Sequence, residues 1–171
     1  MSDIRAIETS YDGHRFRSRL EARWAVFFNA AGIEYQYEPE GFILEDGSWY
    51  LPDFYLPGIV KNVNRDCPPW FVEVKGNMSD EEGLRKARLL HENPPWNAWG
   101  CIVVNEALLH ENAEHPHRDI ITGEWLGTEA GFLAQRLGLP IYAYDRAAEA
   151  ARTARFEHGE TPAVRKEARR T

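Results

Sequence analysis

In the segment Trp70-Phe71-Val72-Glu73-Val74-Lys75-Gly76 a carboxylate and an ammonium stand two residues apart inside an apolar run. Read as a strand, the alternation puts Val72 and Val74 on one face and Glu73 and Lys75 on the other. Opposite charges beside apolar neighbours are costly unless something satisfies them. A divalent cation on the carboxylate and a phosphate on the ammonium would do so. Asp53 follows Pro52 in a second strand-like stretch, Trp49 to Leu56. Pairing of the two stretches would carry its carboxylate toward Glu73. Two hard oxygen ligands, completed by waters and substrate oxygens, suit Mg²⁺. Such an ion would activate a water and neutralise a phosphate, and Lys75 would position that water or stabilise developing charge.

Several elements must hold these groups. Ser18 reads as a helix cap, and Leu20, Trp24, Phe27, Phe28 and Ala31 repeat at helical spacing before Gly32. Ile33 to Glu38 alternates like a half-buried strand and stops at Pro39. After the turn Glu45-Asp46-Gly47-Ser48 comes the strand 49–56, where Pro52 marks an edge or irregular position. A Pro- and Asn-rich loop over 57–69 leads to the strand 70–76. Asp80 to about His91 reads as a helix, and Cys101-Ile102-Val103-Val104 as a strand buried on both sides. Residues 106–127 read as irregular. A helix at 128–137, a strand Ile141-Tyr142-Ala143-Tyr144 and a helix at 145–157 follow. Residues 1–16 are polar with a turn at Tyr11-Asp12-Gly13. The order predicts an α/β fold, a mixed β-sheet flanked by helices.

Composition bounds the function classes. The 171 residues fit one domain, and 43% hydrophobic with 27% charged residues is the balance of a globular protein. No apolar run approaches the ~20 residues of a membrane span, and Met1 to Arg5 lacks a signal core, so a cytoplasmic protein without membrane contact is expected. A net charge of −7 argues against a non-specific nucleic-acid coat. It leaves room for an enzyme with a local basic approach. Cys67 and Cys101 form no CxxC and no disulfide framework. Cys101 reads as a small buried hydrophobe and Cys67 as a loop residue, neither a nucleophile.

Pro52-Asp53 followed by Glu73-Val74-Lys75 resembles the PD-(D/E)XK nuclease superfamily. The resemblance covers about residues 14–105, with the order helix, three strands, helix, strand that this restriction-endonuclease-like core has. It is similar to small phage-type and mobile-element members from Tyr11-Asp12-Gly13 through Glu38-Pro39-Glu40-Gly41-Phe42 to Leu51-Pro52-Asp53-Phe54. The resemblance implies a Mg²⁺-dependent DNA endonuclease, with Mn²⁺ able to substitute. Asp53 and Glu73 would be the primary ligands, helped by the Val74 carbonyl. Glu21 on the first helix would be a further or water-mediated ligand, and Lys75 the catalytic cation. Residues 1–157 would be a single nuclease domain and 158–171 a basic, disordered tail. Partners would be duplex or structured DNA, with a homodimer or a larger phage or mobile-element assembly as context. The competing expectation is a nuclease-like fold serving as a binding or structural component with little cleavage, which the acidic charge and lack of a separate DNA-binding domain favour. RNA-directed or junction-, flap- and nick-selective cleavage would use the same metal site.

Each candidate has a plainer reading. Glu73 and Lys75 also fit a solvent-facing strand pair, and Glu21 a helix surface charge paired with Arg17 or Arg23. Arg15, Arg17 and Arg19, with Tyr11, fit a grip on a phosphate backbone or a solvated face. Lys86 and Arg85 fit a phosphate contact or ordinary helix charges. Glu38 and Glu40 fit a place in the metal shell or, more simply, a polar strand end. His110, His115 and His117 match no standard zinc spacing. Trp96 and Trp99 fit core residues better than base-stacking ones.

Overall fold

A computed structural model describes residues 6–61, 67–110, 116–118 and 125–156, with nothing stated of the side chains of 116–118 and 125–129. The tail expected over 158–171 lies outside the described residues, as do His115 and most of the segment 111–124.

The chain opens with a hairpin, β1 (Thr9–Tyr11) and β2 (His14–Phe16), turned by Asp12 and Gly13 in left-handed conformations. The polar reading of 1–16 misses it, although Tyr11 and Phe16 are both buried. Helix α1 (Arg19–Ala31) follows, capped by Ser18 and closed by Gly32 at φ 74°. Its apolar stripe is the one the spacing predicts, with Trp24, Phe27 and Phe28 fully buried.

The central sheet has the order β3-β6-β7-β8: β3 (Gln36–Tyr37), β6 (Phe54–Leu56), β7 (Trp70–Val74) and β8 (Cys101–Val104). The pairs β3–β6 and β6–β7 are antiparallel and β7–β8 is parallel, so the sheet is mixed. Helix α2 (Glu81–Glu92) makes the crossover that a parallel pair requires. The stretch 49–56 is two strands rather than one. Trp49–Tyr50 (β5) pairs with Phe42–Ile43 (β4) as a separate hairpin, and the chain breaks at Leu51-Pro52 before joining the sheet at Phe54. Pro52, with no N–H for a ladder, sits at that break. The strand expected over 33–38 shortens to β3, with Ile33 bridging Val60.

Alternation splits the core into two layers. Val72, Ile102 and Val104 face the larger cluster with α1, and Phe71, Cys101 and Val103 face the smaller one with α2 and Tyr50. Glu73 shares the face of Phe71, as the period of two demands.

Past β8, a 3₁₀ turn (Ala107–Leu109) and two paired strands, β9 (Pro116–Arg118) and β10 (Trp125–Thr128), occupy what reads as irregular sequence. Helix α3 (Glu129–Arg136) is where the sequence predicts it. The strand 141–144 is not: Ile141–Thr153 is one helix, α4. Its Ile-Tyr-Ala-Tyr start looks β-like, yet Ile141 and Tyr142 are exposed while Tyr144, Ala147, Ala148 and Ala151 form a helical stripe against α1. Tyr144 packs edge-on against Phe27 and donates to the Leu108 carbonyl at 2.6 Å. No described helix is long and apolar enough to cross a membrane.

Candidate active site

The sheet opens where β6 and β7 part. Their ladder ends at Phe54–Val72, and one step further the register would set Asp53 against Glu73. The Val74 N–H donates to Asp53 Oδ2 at 2.7 Å, so a side chain replaces a backbone partner. The Asp53 carbonyl accepts from the Glu38 N–H at 2.8 Å, which ties the same residue to the end of β3. Asp53 is thereby fixed on both sides.

Glu73 and Asp53 are 6% and 4% exposed, and Glu21 is 7% exposed. Burial pushes the Asp53 carboxyl well above the usual range, and the charges of Glu73 and Glu21 add to the rise. The Val74 hydrogen bond and Arg17 oppose it. Glu73 Oε1 pairs with Lys75 Nζ at 2.9 Å, whereas Glu73 Oε2 is buried with no hydrogen-bond partner. The Tyr50 hydroxyl is also buried and makes no well-formed hydrogen bond, and its pKa is raised by burial first, then by Cys101 and by the charge and hydrogen-bonding reach of Glu73.

Lys75 Nζ is shared with Asp80 Oδ2 at 2.8 Å, while Asp80 Oδ1 caps α2 by accepting from the Gly83 N–H at 3.0 Å. Burial works against the Lys75 charge, but the hydrogen bonds of Asp80 and Glu73 leave its pKa raised. The ammonium therefore stays protonated.

Glu21 stands at the third position of α1 and is not a surface charge. Its backbone N–H donates to Ser18 Oγ at 3.1 Å, and Ser18 Oγ donates back to Oε1 at 2.7 Å. Oε2 accepts from the Tyr37 hydroxyl at 2.6 Å and from the Arg17 N–H at 3.1 Å. Ser18 to Glu21 has the spacing of a capping box, so Glu21 serves the helix as well as the site.

Arg17 joins the cluster with its head. Its Nη2 donates to Asp53 Oδ1 at 2.8 Å and its Nε lies 2.6 Å from Glu38 Oε1. Burial opposes the guanidinium charge, but the Tyr37 hydrogen bond and the charges of Asp53, Glu38 and Glu21 leave its pKa raised. Glu38 adopts φ 44°, a costly conformation for a non-glycine residue that aims its side chain at Arg17.

Asp53, Glu73, Lys75 and Glu21 are thus brought together. Arg15 pairs with Glu8 on the exposed hairpin, and Lys86 reaches the Trp49 carbonyl at 3.3 Å and Glu82 at 3.7 Å. Neither Arg15 nor Lys86 contacts the carboxylates in these bonds. Arg19 is half-buried in the first turn of α1. Arg85 bridges Asp46 and Glu82. Trp99, read as core, is 69% exposed. Sequence reasoning misses Tyr37, Tyr50 and Asp80, and it takes Glu38 for a strand end. The Ser18–Glu21 spacing and the Asp80–Gly83 cap were the signals at hand, because each fixes a carboxylate near a site residue.

No family model, no curated protein and no solved structure matches the chain. What the site does is therefore carried by its geometry. Among the described residues no group of three or more His, Cys, Asp or Glu is arranged to hold a metal ion. The donors at the sheet opening are two buried carboxylates, Asp53 and Glu73, next to the main chain of Val74. An orphaned Glu73 oxygen, and an Asp53 pKa raised by burial and then by like charges, fit a divalent cation held by hard oxygens.

Proposed function

We propose that this protein is a metal-dependent endonuclease of the PD-(D/E)XK type, hydrolysing DNA phosphodiester bonds with Mg²⁺ or Mn²⁺. The observation that carries it is the buried pair Asp53 and Glu73 at the parting of β6 and β7, with Lys75 Nζ on Glu73 and one Glu73 oxygen unbonded. Buried carboxylates without enough donors are expensive, and a cation is their ordinary partner. Asp53, Glu73 and the Val74 carbonyl would hold it, with Glu21 behind them. When bound, a divalent cation neutralises phosphate charge and lowers the pKa of a water.

The residues do the rest. Lys75 has two of its three N–H bonds taken by Glu73 and Asp80 and offers the third to a substrate oxygen or the attacking water. Held in this way it needs no reorganisation as charge develops. Glu21, fixed by Ser18, Tyr37 and the Arg17 N–H, contributes negative potential toward Asp53. Asp80 positions Lys75.

A second reading has its own observation. Arg17 already sits on Asp53 Oδ1, so an internal cation offsets part of the charge, as in a nuclease-like module that binds without cutting. One panel separates the two: duplex, single-stranded, nicked and branched DNA, and RNA, with Mg²⁺, with Mn²⁺ and with EDTA. Cleavage that needs metal and disappears in Lys75→Ala, by about 10²-fold or more, supports the enzyme. Intact substrates throughout, with nucleic acid bound, would leave the binding module.

A further inference from the structure

Two cations touch the carboxylates, and they are held differently. Lys75 rises from β7 and is nearly buried. Arg17 reaches in from outside, with 56% of its side chain exposed. Its backbone is fixed, because the Arg17 N–H is bonded to Glu21 Oε2 and to the Tyr37 hydroxyl, both at 3.1 Å. Only the head is free to turn.

The atom it occupies matters. Asp53 Oδ2 accepts from a fixed backbone donor, the Val74 N–H, whereas Oδ1 accepts from a side chain able to move away, with Arg17 Nη2 2.8 Å from it. A divalent ion on Oδ1 would face a guanidinium at contact distance, in a site screened from water by burial. Both cannot stay at low energy. The second anchor of the head, Glu38 Oε1, belongs to a half-buried side chain beside Asp53 and would remain within reach.

We propose that Arg17 is the resident counter-ion of the metal-free site, competing with a divalent cation for Asp53 Oδ1 and turning outward when the cation binds. This rests on the metal-dependent reading above. In the metal-free protein Arg17 offsets the repulsion among Asp53, Glu73 and Glu21. In the loaded protein its planar fork is released at the edge of the site, where it suits a phosphate. The metal and the substrate-gripping position of Arg17 are then linked: each favours the other.

Calorimetric Mn²⁺ titration and melting in EDTA of wild type, Arg17→Gln, Arg17→Lys and Asp53→Asn test it. Arg17→Gln should bind Mn²⁺ at least about fivefold more tightly, since the competing state is gone. It should melt lower in EDTA, and Mn²⁺ should recover most of the deficit. Arg17→Lys, with charge but no fork, should fall between. Unchanged or weaker Mn²⁺ affinity in Arg17→Gln, with binding still lost in Asp53→Asn, would overturn the role of Arg17 and leave the metal site standing. No Mn²⁺ binding by wild type or Arg17→Gln would overturn both. If Arg17→Gln does not fold, the Arg17 Nε–H resonance of the wild type decides: it should move on saturation with Mg²⁺, and a fixed resonance counts against displacement.

Discussion

Asp53 is a buried carboxyl whose raised pKa gives a stability signature with a definite sign. Burial raises it first, then Glu73 and Glu21, above an ordinary value of 3.8. A carboxyl raised on folding contributes stability fully present below its unfolded pKa, and that contribution is lost as pH rises through the folded value. In metal-free buffer Asp53→Asn should therefore gain stability relative to wild type from about pH 4 upward, with a limiting slope of about 1.4 kcal/mol per pH unit. Parallel stability curves for the two proteins would remove the charge argument. Glu21 has a double duty. Glu21→Gln keeps volume but weakens the bonds from Ser18 and Tyr37, so it should cost about 1 kcal/mol as well as at least ~10-fold in cleavage. A melting curve with an activity assay checks both, and unaltered cleavage would leave Glu21 as a cap alone.

At the scale of elements, the first turn of α2 is built around Lys75. Gly83 lies so close to Lys75 Nζ and Asp80 Oδ2 that a Cβ there would collide with both. The colliding atoms are ends of flexible side chains, so they would give way before the helix did. Gly83→Ala should leave the unfolding free energy unchanged or raise it by up to about 1 kcal/mol from helix propensity. Cleavage should nonetheless fall about tenfold or more, because the ammonium loses its place against Glu73. Full activity in a folded Gly83→Ala protein would mean that Lys75 works from another position.

For the whole molecule, α4 is structural where its N-terminal residues read as a strand. Tyr144, Ala147 and Ala151 fill the groove of α1, and Phe156 meets Tyr11 edge-on at 6.2 Å. Ending the chain after residue 157 keeps all of these contacts, so the shortened protein should melt within a few degrees of the full chain. Residues 158–171 carry Arg165, Lys166, Arg169 and Arg170 against Glu160 and Glu167. If those basic groups meet phosphates, the shortened protein should bind DNA more weakly and with a flatter salt dependence. Binding at several salt concentrations reads this directly, and loss of the cooperative melt would show that the tail is needed for the fold.

The sequence by itself determined the parts that local periodicity encodes. The α1 stripe, the alternation that sets Glu73 opposite Val72, the buried strand 101–104 and the α/β class were all legible, because side-chain direction follows from a period of 3.6 or 2. So were Asp53, Glu73 and Lys75 as a candidate set, to which the resemblance to a nuclease superfamily added Glu21. Tertiary structure alone decided the rest. Helix α4 begins in a β-like run because packing on α1 outweighs the local preference of Ile141-Tyr142. The stretch 49–56 divides between two sheets because Pro52 breaks the ladder and the Tyr50 side chain joins the α2 layer. That Arg17 lies on one oxygen of Asp53 and the Val74 N–H on the other was decided by contacts 36 and 21 residues apart. No window of neighbouring residues carries such separations, since only the closing of the sheet against α1 brings them within hydrogen-bond reach.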